Sequence, residues 1–170
     1  IGHTGYAPID WQVDLRSGFR WSAREHGSTL AIPVDRGADV KVPWELGRLQ
    51  HLPQLTLCAI LAKAGQAGFE DAGRYVDEVA NQLLDFVAVN PPRFGVNWMG
   101  AMDVAIRGAN IALTLALLAG AGLRLAAPVE DTIAGTLRDH ARFIADNLEY
   151  SEARRNNHYI ADVAGLFWIA

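Results

Sequence analysis

A single cysteine, Cys58, excludes an internal disulfide. Its apolar, helix-patterned surroundings mark it as a small buried hydrophobe rather than a nucleophile. No basic run is longer than Arg154-Arg155, and 15 basic against 19 acidic residues leave a net charge of −4. The electrostatic footprint of a nucleic-acid binder is therefore missing. An acidic polymer is still compatible with a locally basic cleft, because net charge does not fix local potential. The most apolar stretch, 109–123, is interrupted by Asn110 and Thr114 and bounded by Arg107 and Arg124. It falls short of the ~20 residues of a membrane span and reads as a helix buried on all sides. There is no GxGxxG, no GxxxxGK[ST] and no Gly-x-Ser-x-Gly, so nucleotide-binding and serine-hydrolase readings lack motifs. The five histidines stand at 3, 26, 51, 140 and 158, and no two have zinc-ligand spacing. No metal or cofactor is expected. Residues 1–5 lack the charged start and apolar core of a secretory signal. A chain that starts without Met is expected to be a processed product or a fragment.

What is present describes one well-ordered domain. The 170 residues are 51% hydrophobic and 20% charged, enough for a sizeable core and too apolar for general disorder. Residues 1–43 concentrate glycine, proline and the aromatics Tyr6, Trp11, Phe19 and Trp21. They read as an extended arm with turns and a short strand over about 29–34. From 44 to 170 the pattern is helical. Helices are expected over about 44–64, 70–89, 98–119, from Pro128 to about 148, and from about 157 to the end. Asn90-Pro91-Pro92 stops the second, and Pro128 with Glu130 and Asp131 opens the fourth. The third helix is apolar nearly all round and belongs in an inner layer; the fourth carries Arg138, Asp139, Arg142 and Asp146 and belongs outside. Short loops at intervals of about thirty residues imply antiparallel helical hairpins. The fold class is thus all-α, an incomplete (α/α) toroid of such hairpins preceded by the arm. Apolar helix at Ala170 leads one to expect further sequence beyond it.

The chemistry-bearing residues cluster in three places. The first is Asn147-Leu148-Glu149 followed by Asn156-Asn157-His158-Tyr159. A side-chain amide hydrogen-bonds a carboxylate without adding charge, and an adjacent imidazole exchanges a proton near neutral pH. Asn157 and His158 so combined suit proton removal next to a carboxylate. Asn pairs also cap helices and make turns, and a lone His also simply finds a hydrogen bond. The second is Glu45 with Arg48, three apart, which is equally a surface ion pair. The third is Asn97-Trp98 at a loop–helix junction, then Asp103 and Arg107 four apart on an apolar helix. Trp98 there either stacks on a sugar ring or anchors the core. The charged pair is either mutually neutralised or faces a cavity.

The runs Lys41-Val42-Pro43-Trp44-Glu45-Leu46-Gly47-Arg48, Asn90-Pro91-Pro92 with Gly95-Val96-Asn97-Trp98, Ala105-Ile106-Arg107 with Asn110, and Asn147-Leu148-Glu149 with Asn156-Asn157-His158 stand in one order along the chain. Jointly, and with Asp10-Trp11, Ser17-Gly18 and Trp21 upstream, they resemble the heparinase II/III family of polysaccharide lyases. One departure is Asp103, where related sequences often carry Glu. The resemblance implies an (α/α) toroid portion, a periplasmic or secreted location, and β-elimination on a uronic-acid polysaccharide, heparan-sulfate-like or alginate-like. It implies Asn157 as the carboxylate neutraliser and His158 as a base or its partner. Asn156, Tyr159, Asn97, Trp98, Arg107, Glu45 and Arg48 would bind substrate, unless Glu45, Arg48 and Arg107 form a buried charge network. A further catalytic Tyr and His would come from a C-terminal region beyond residue 170. The alternative is a non-catalytic carbohydrate-binding or scaffold protein of the same architecture. A toroid hydrolase would need paired carboxylates, for which only Glu45, Asp103 and Glu149 offer themselves.

Overall fold

The computed structural model describes residues 5–152 and 157–170. These are mostly helical, with no strand among them; the β pairings among them are isolated bridges at Val13–Arg20 and His26–Phe94. The helices are α1 (Lys41–Gly47), α2 (His51–Lys63), α3 (Ala72–Val89), α4 (Ala101–Gly120), α5 (Ala127–Asp146) and α6 (His158–Ile169). α4 packs against α2, α5 and α6; α3 packs on α2 and touches α5, and α5 also meets α6. α4 is long and apolar enough to cross a membrane by length and composition. Here it is the hub of the fold, covered by α2, α5 and α6. Arg138, Arg142 and Asp146 of α5 are exposed.

Each boundary has a local cause. α3 starts at Asp71, whose carboxylate accepts the Gly73 N–H at 2.8 Å, and ends where Pro91 follows Asn90. The helix expected over 44–64 is in fact two, broken at Leu49, whose φ is 55°. A left-handed leucine costs on the order of 1 kcal/mol or more. Three observations show what offsets it. Leu49 is completely buried. The carbonyls at the break are collected by α4: Arg107 donates to Gly47 O at 3.3 Å and Asn110 to Arg48 O at 2.9 Å. Gly47 also lets Asn97 approach so closely that a Cβ there would lie 2.0 Å from Asn97 Oδ1. The helix expected from 98 begins instead at Ala101, because Val96–Trp98 forms a 3-10 turn.

The described residues before α1 include several that are packed onto the helices. The strand expected over 29–34 does not form; 3-10 turns occupy Gly27–Thr29 and Val34–Arg36. Trp11 is fully buried and meets Phe86 edge-on at 5.2 Å. One carboxylate oxygen, Asp85 Oδ2 on α3, accepts from Tyr6 Oη, Ile9 N and Trp11 Nε1 at 2.9–3.0 Å. Burial first, and the hydrogen bond to Asp85 second, push the Tyr6 phenol up. Gln12 reaches further in, donating to Asn90 Oδ1 at 2.7 Å and accepting from Val96 N at 3.0 Å.

α4 and α6 touch at small residues. A Cβ on Gly165 would lie 2.6 Å from that of Ala105, so this glycine permits the close approach. That approach sets where the start of α6, with His158, stands relative to the start of α4.

Candidate functional site

Two polar constellations surround the first half of α4, one sealed and one open. The sealed one centres on Arg107, which is completely buried. Its Nε donates to His140 Nε2 at 2.8 Å, and Nη2 donates to Asn97 O at 3.0 Å. Its guanidinium lies 4.7 Å from the Phe86 ring centre and 5.2 Å from that of Trp98. Burial lowers the Arg107 pKa to about 9, opposed by the Asp103 charge. His140 Nδ1 lies 2.8 Å from Thr136 O. An imidazole that donates there and accepts from arginine is neutral. Burial first, and the arginine second, push His140 down to about 3.

Asn97 and Trp98 belong to this interior. Asn97 Nδ2 donates to Trp11 O and Asn90 Oδ1 at 2.8 and 2.9 Å. Trp98 Nε1 donates to Asn90 O at 3.1 Å, and its ring packs against His140 and Phe143. Both side chains are 2% exposed or less. Asn97, Trp98 and Arg107, expected to line a cleft, therefore lie in the core instead. Asn97 Nδ2 and Trp98 Nε1 are satisfied within the core while Asn97 Oδ1 has no hydrogen-bond partner, and the arginine takes the Gly47 carbonyl at the α1–α2 break and that of Asn97. A sugar has no access to them.

The open constellation sits at the N-terminus of α4. That terminus has Gly100 as its cap and no side-chain cap of its own. Its orphan donors are met from outside. Glu149 Oε1 accepts the Met102 N–H at 3.0 Å. A carboxylate there is also favoured by the helix dipole. Asp103, in the first turn, accepts from Arg48 Nε at 2.8 Å, and Arg48 also pairs with Glu45. Burial raises the Asp103 pKa against the pull of Arg48, and the Glu149 charge adds to the rise.

Glu149 makes the link to α6. Its Oε2 lies 2.6 Å from His158 Nδ1. Its backbone N–H donates to Asp162 Oδ2 at 2.8 Å. Asp162 is completely buried, its Oδ1 has no hydrogen-bond partner, and burial raises its pKa. The carboxylate of Glu149 thus lies against the imidazole at Nδ1 and orients the ring. His158 and Glu149 remain partly open, at 38% and 30% side-chain exposure. Asn157 is exposed at the N-cap of α6 and makes no side-chain cap bond. Its amide is not used in the way asparagines at helix starts commonly are. Tyr159 is partly exposed and meets Tyr150 edge-on.

Of the residues expected at the site, Glu45, Arg48, Asn157, His158 and Tyr159 thus lie at or beside the α4 terminus. Asn156 lies outside the described residues, as do Arg154 and Arg155. Sequence reading passed over Asp162 and Tyr150. Asp162 had a visible signal, as the one charge in the apolar run 158–170. Among the described residues no group of three or more His, Cys, Asp or Glu is arranged to hold a metal. No protein-family profile, no curated protein and no solved structure matches this chain.

Proposed function

We propose that the protein is a polysaccharide lyase acting on a uronic-acid polymer by β-elimination. The observation that carries this reading is the Glu149–His158 pair, a partly open imidazole held by a carboxylate that is itself anchored on the α4 terminus. A carboxylate that orients an imidazole and stabilises its protonated form is the general arrangement for base catalysis. In the proposed reaction, Asn157 hydrogen-bonds the uronate carboxylate and spreads the charge that develops as the C5 proton leaves. The imidazole of His158 takes that proton. The C5–H electron pair forms the C4=C5 double bond, the C4–O bond breaks, and the departing oxygen is protonated by water. Electrostatic stabilisation of the developing charge by a fixed donor is the larger part of such catalysis. Arg48, balanced by Glu45 and Asp103, flanks the site.

The alternation of α2, α4 and α6 with α3 and α5 supports reading the domain as part of an (α/α) toroid. Polymers of this class place the protein's work outside the cytoplasm, in a periplasm or secreted. The test is ultraviolet absorbance of the unsaturated uronate product. The protein is incubated with a panel of uronate polysaccharides beside an Asn157→Ala/His158→Ala double variant. Product from the wild type alone supports the lyase. Saccharide binding without product from any polymer would favour a non-catalytic carbohydrate-binding protein.

A further inference from the structure

Each member of the acid–base pair is followed in sequence by a tyrosine: Glu149 by Tyr150 and His158 by Tyr159. The two rings, nine residues apart along the chain, meet edge to face with centres 5.2 Å apart and planes at 65°. Inside a protein such a pair is ordinary core packing. Here it is open, Tyr150 being 63% exposed and Tyr159 37%. The segments that carry the rings are fastened together. Glu149 is bonded through its backbone to Asp162 of α6 and through its side chain to His158. The pair is therefore a preset surface feature and not two independent side chains.

We infer that Tyr150 and Tyr159 form a stacking platform for a pyranose ring, holding the sugar that neighbours the one at His158. This rests on reading the site as a saccharide site. The ligand class follows from the neighbours. A tyrosine ring offers rigid, amphipathic contact area at small entropic cost. The C–H face of a pyranose covers that area while its hydroxyls stay hydrated at the rim. Adjacent residues along a chain are 3.8 Å apart at Cα. Each ring is carried one residue from a member of the acid–base pair, so the platform lies beside that pair. Stacking does not use the uronate charge, so the platform is indifferent to it; the amide and imidazole supply recognition of the carboxylate.

The experiment measures binding rather than turnover, by calorimetry. Its probes are a panel of uronate tetrasaccharides and their carboxyl-reduced, neutral counterparts. Tyr150→Ala/Tyr159→Ala is compared with wild type, with Tyr150→Phe/Tyr159→Phe and with His158→Ala. Far-UV circular dichroism checks that each is folded. The expected result is about a tenfold weaker Kd for the alanine double variant on charged and neutral probes alike. The phenylalanine variant should stay near wild type, because it keeps the ring faces. Unchanged Kd in the alanine variant, or no binding of any probe by the wild type, overturns the platform. So does an effect confined to self-association in sedimentation, which would make the rings a protein interface. Tyrosine-dependent binding with no elimination product would leave the platform standing and overturn the lyase. Elimination with a tyrosine-independent Kd would do the reverse.

Discussion

Arg107 with His140 and Arg48 with Asp103 each centre on a charged residue of α4, Arg107 and Asp103 being about one helical turn apart, yet the two groups stand in different surroundings. The Arg107 group is completely enclosed and its hydrogen bonds run to carbonyls and a neutral imidazole. The Arg48 group stands at the rim, its cation matched by carboxylates, and continues through the α4 terminus to Glu149 and His158. A buried charge with fixed acceptors holds packing in place. A partly open, oriented imidazole has somewhere to send a proton. Burial and access, more than residue type, separate the two.

Arg107→Ala should produce the largest effect. It orphans the carbonyls of Gly47 and Asn97 and removes the ring contacts with Phe86 and Trp98. Denaturant unfolding should show a loss of about 3–5 kcal/mol. A loss below about 1 kcal/mol would mean that the sealed group does not hold the α1–α2 break.

The rim should answer differently. His158→Ala is expected to lower elimination by about 10²–10⁴-fold, with a thermal midpoint close to wild type. Comparable loss of stability and rate would erase the distinction between the two regions.

The third prediction concerns acid. In the unfolded chain His140 takes up its proton near the ordinary 6.5, but in the fold only near 3. The unfolded state therefore binds more protons across that window. Stability from this group is complete above pH 6.5 and falls with falling pH, by up to about 1.4 kcal/mol per unit. Asp103 and Asp162, raised by burial, act in the opposite sense as the pH enters the carboxylate range. Urea titrations between neutrality and that range should show the slope, and His140→Gln should flatten it.

Glu45→Gln should have the smallest effect. Its carboxylate is more than half exposed, and such pairs contribute little. A stability change within about 0.5 kcal/mol is expected, and a larger one would move Glu45 into the structural group.

Much of the helical organisation was legible in the sequence, because apolar periodicity and proline stops are local signals. Asn90-Pro91-Pro92 ended α3 as read, and Pro128 lies in the first turn of α5. The break at Leu49 was not legible, since nothing local requires it. Its causes are Asn97, Arg107 and Asn110, about fifty residues further along. The strand over 29–34 failed for a related reason: tertiary hydrogen bonds, such as Trp21 Nε1 to Ala31 O at 2.9 Å, replace a β partner. At the site, Asn157 and His158 stood out by type and adjacency. Their partner Glu149 was visible only as part of a motif, and its bond to His158 depends on how α4 and α6 pack. Asn97, Trp98 and Arg107 looked alike functional because a motif records which residues occur together and not which of them water can reach.

The most direct test compares elimination rate per folded molecule in His158→Ala and His140→Gln, with folded fractions taken from circular dichroism of the same samples. His158→Ala should be fully folded and lose the rate, while His140→Gln should be less stable but keep the rate of each folded molecule. Elimination near the wild-type rate in His158→Ala, or its loss in folded His140→Gln, would contradict this.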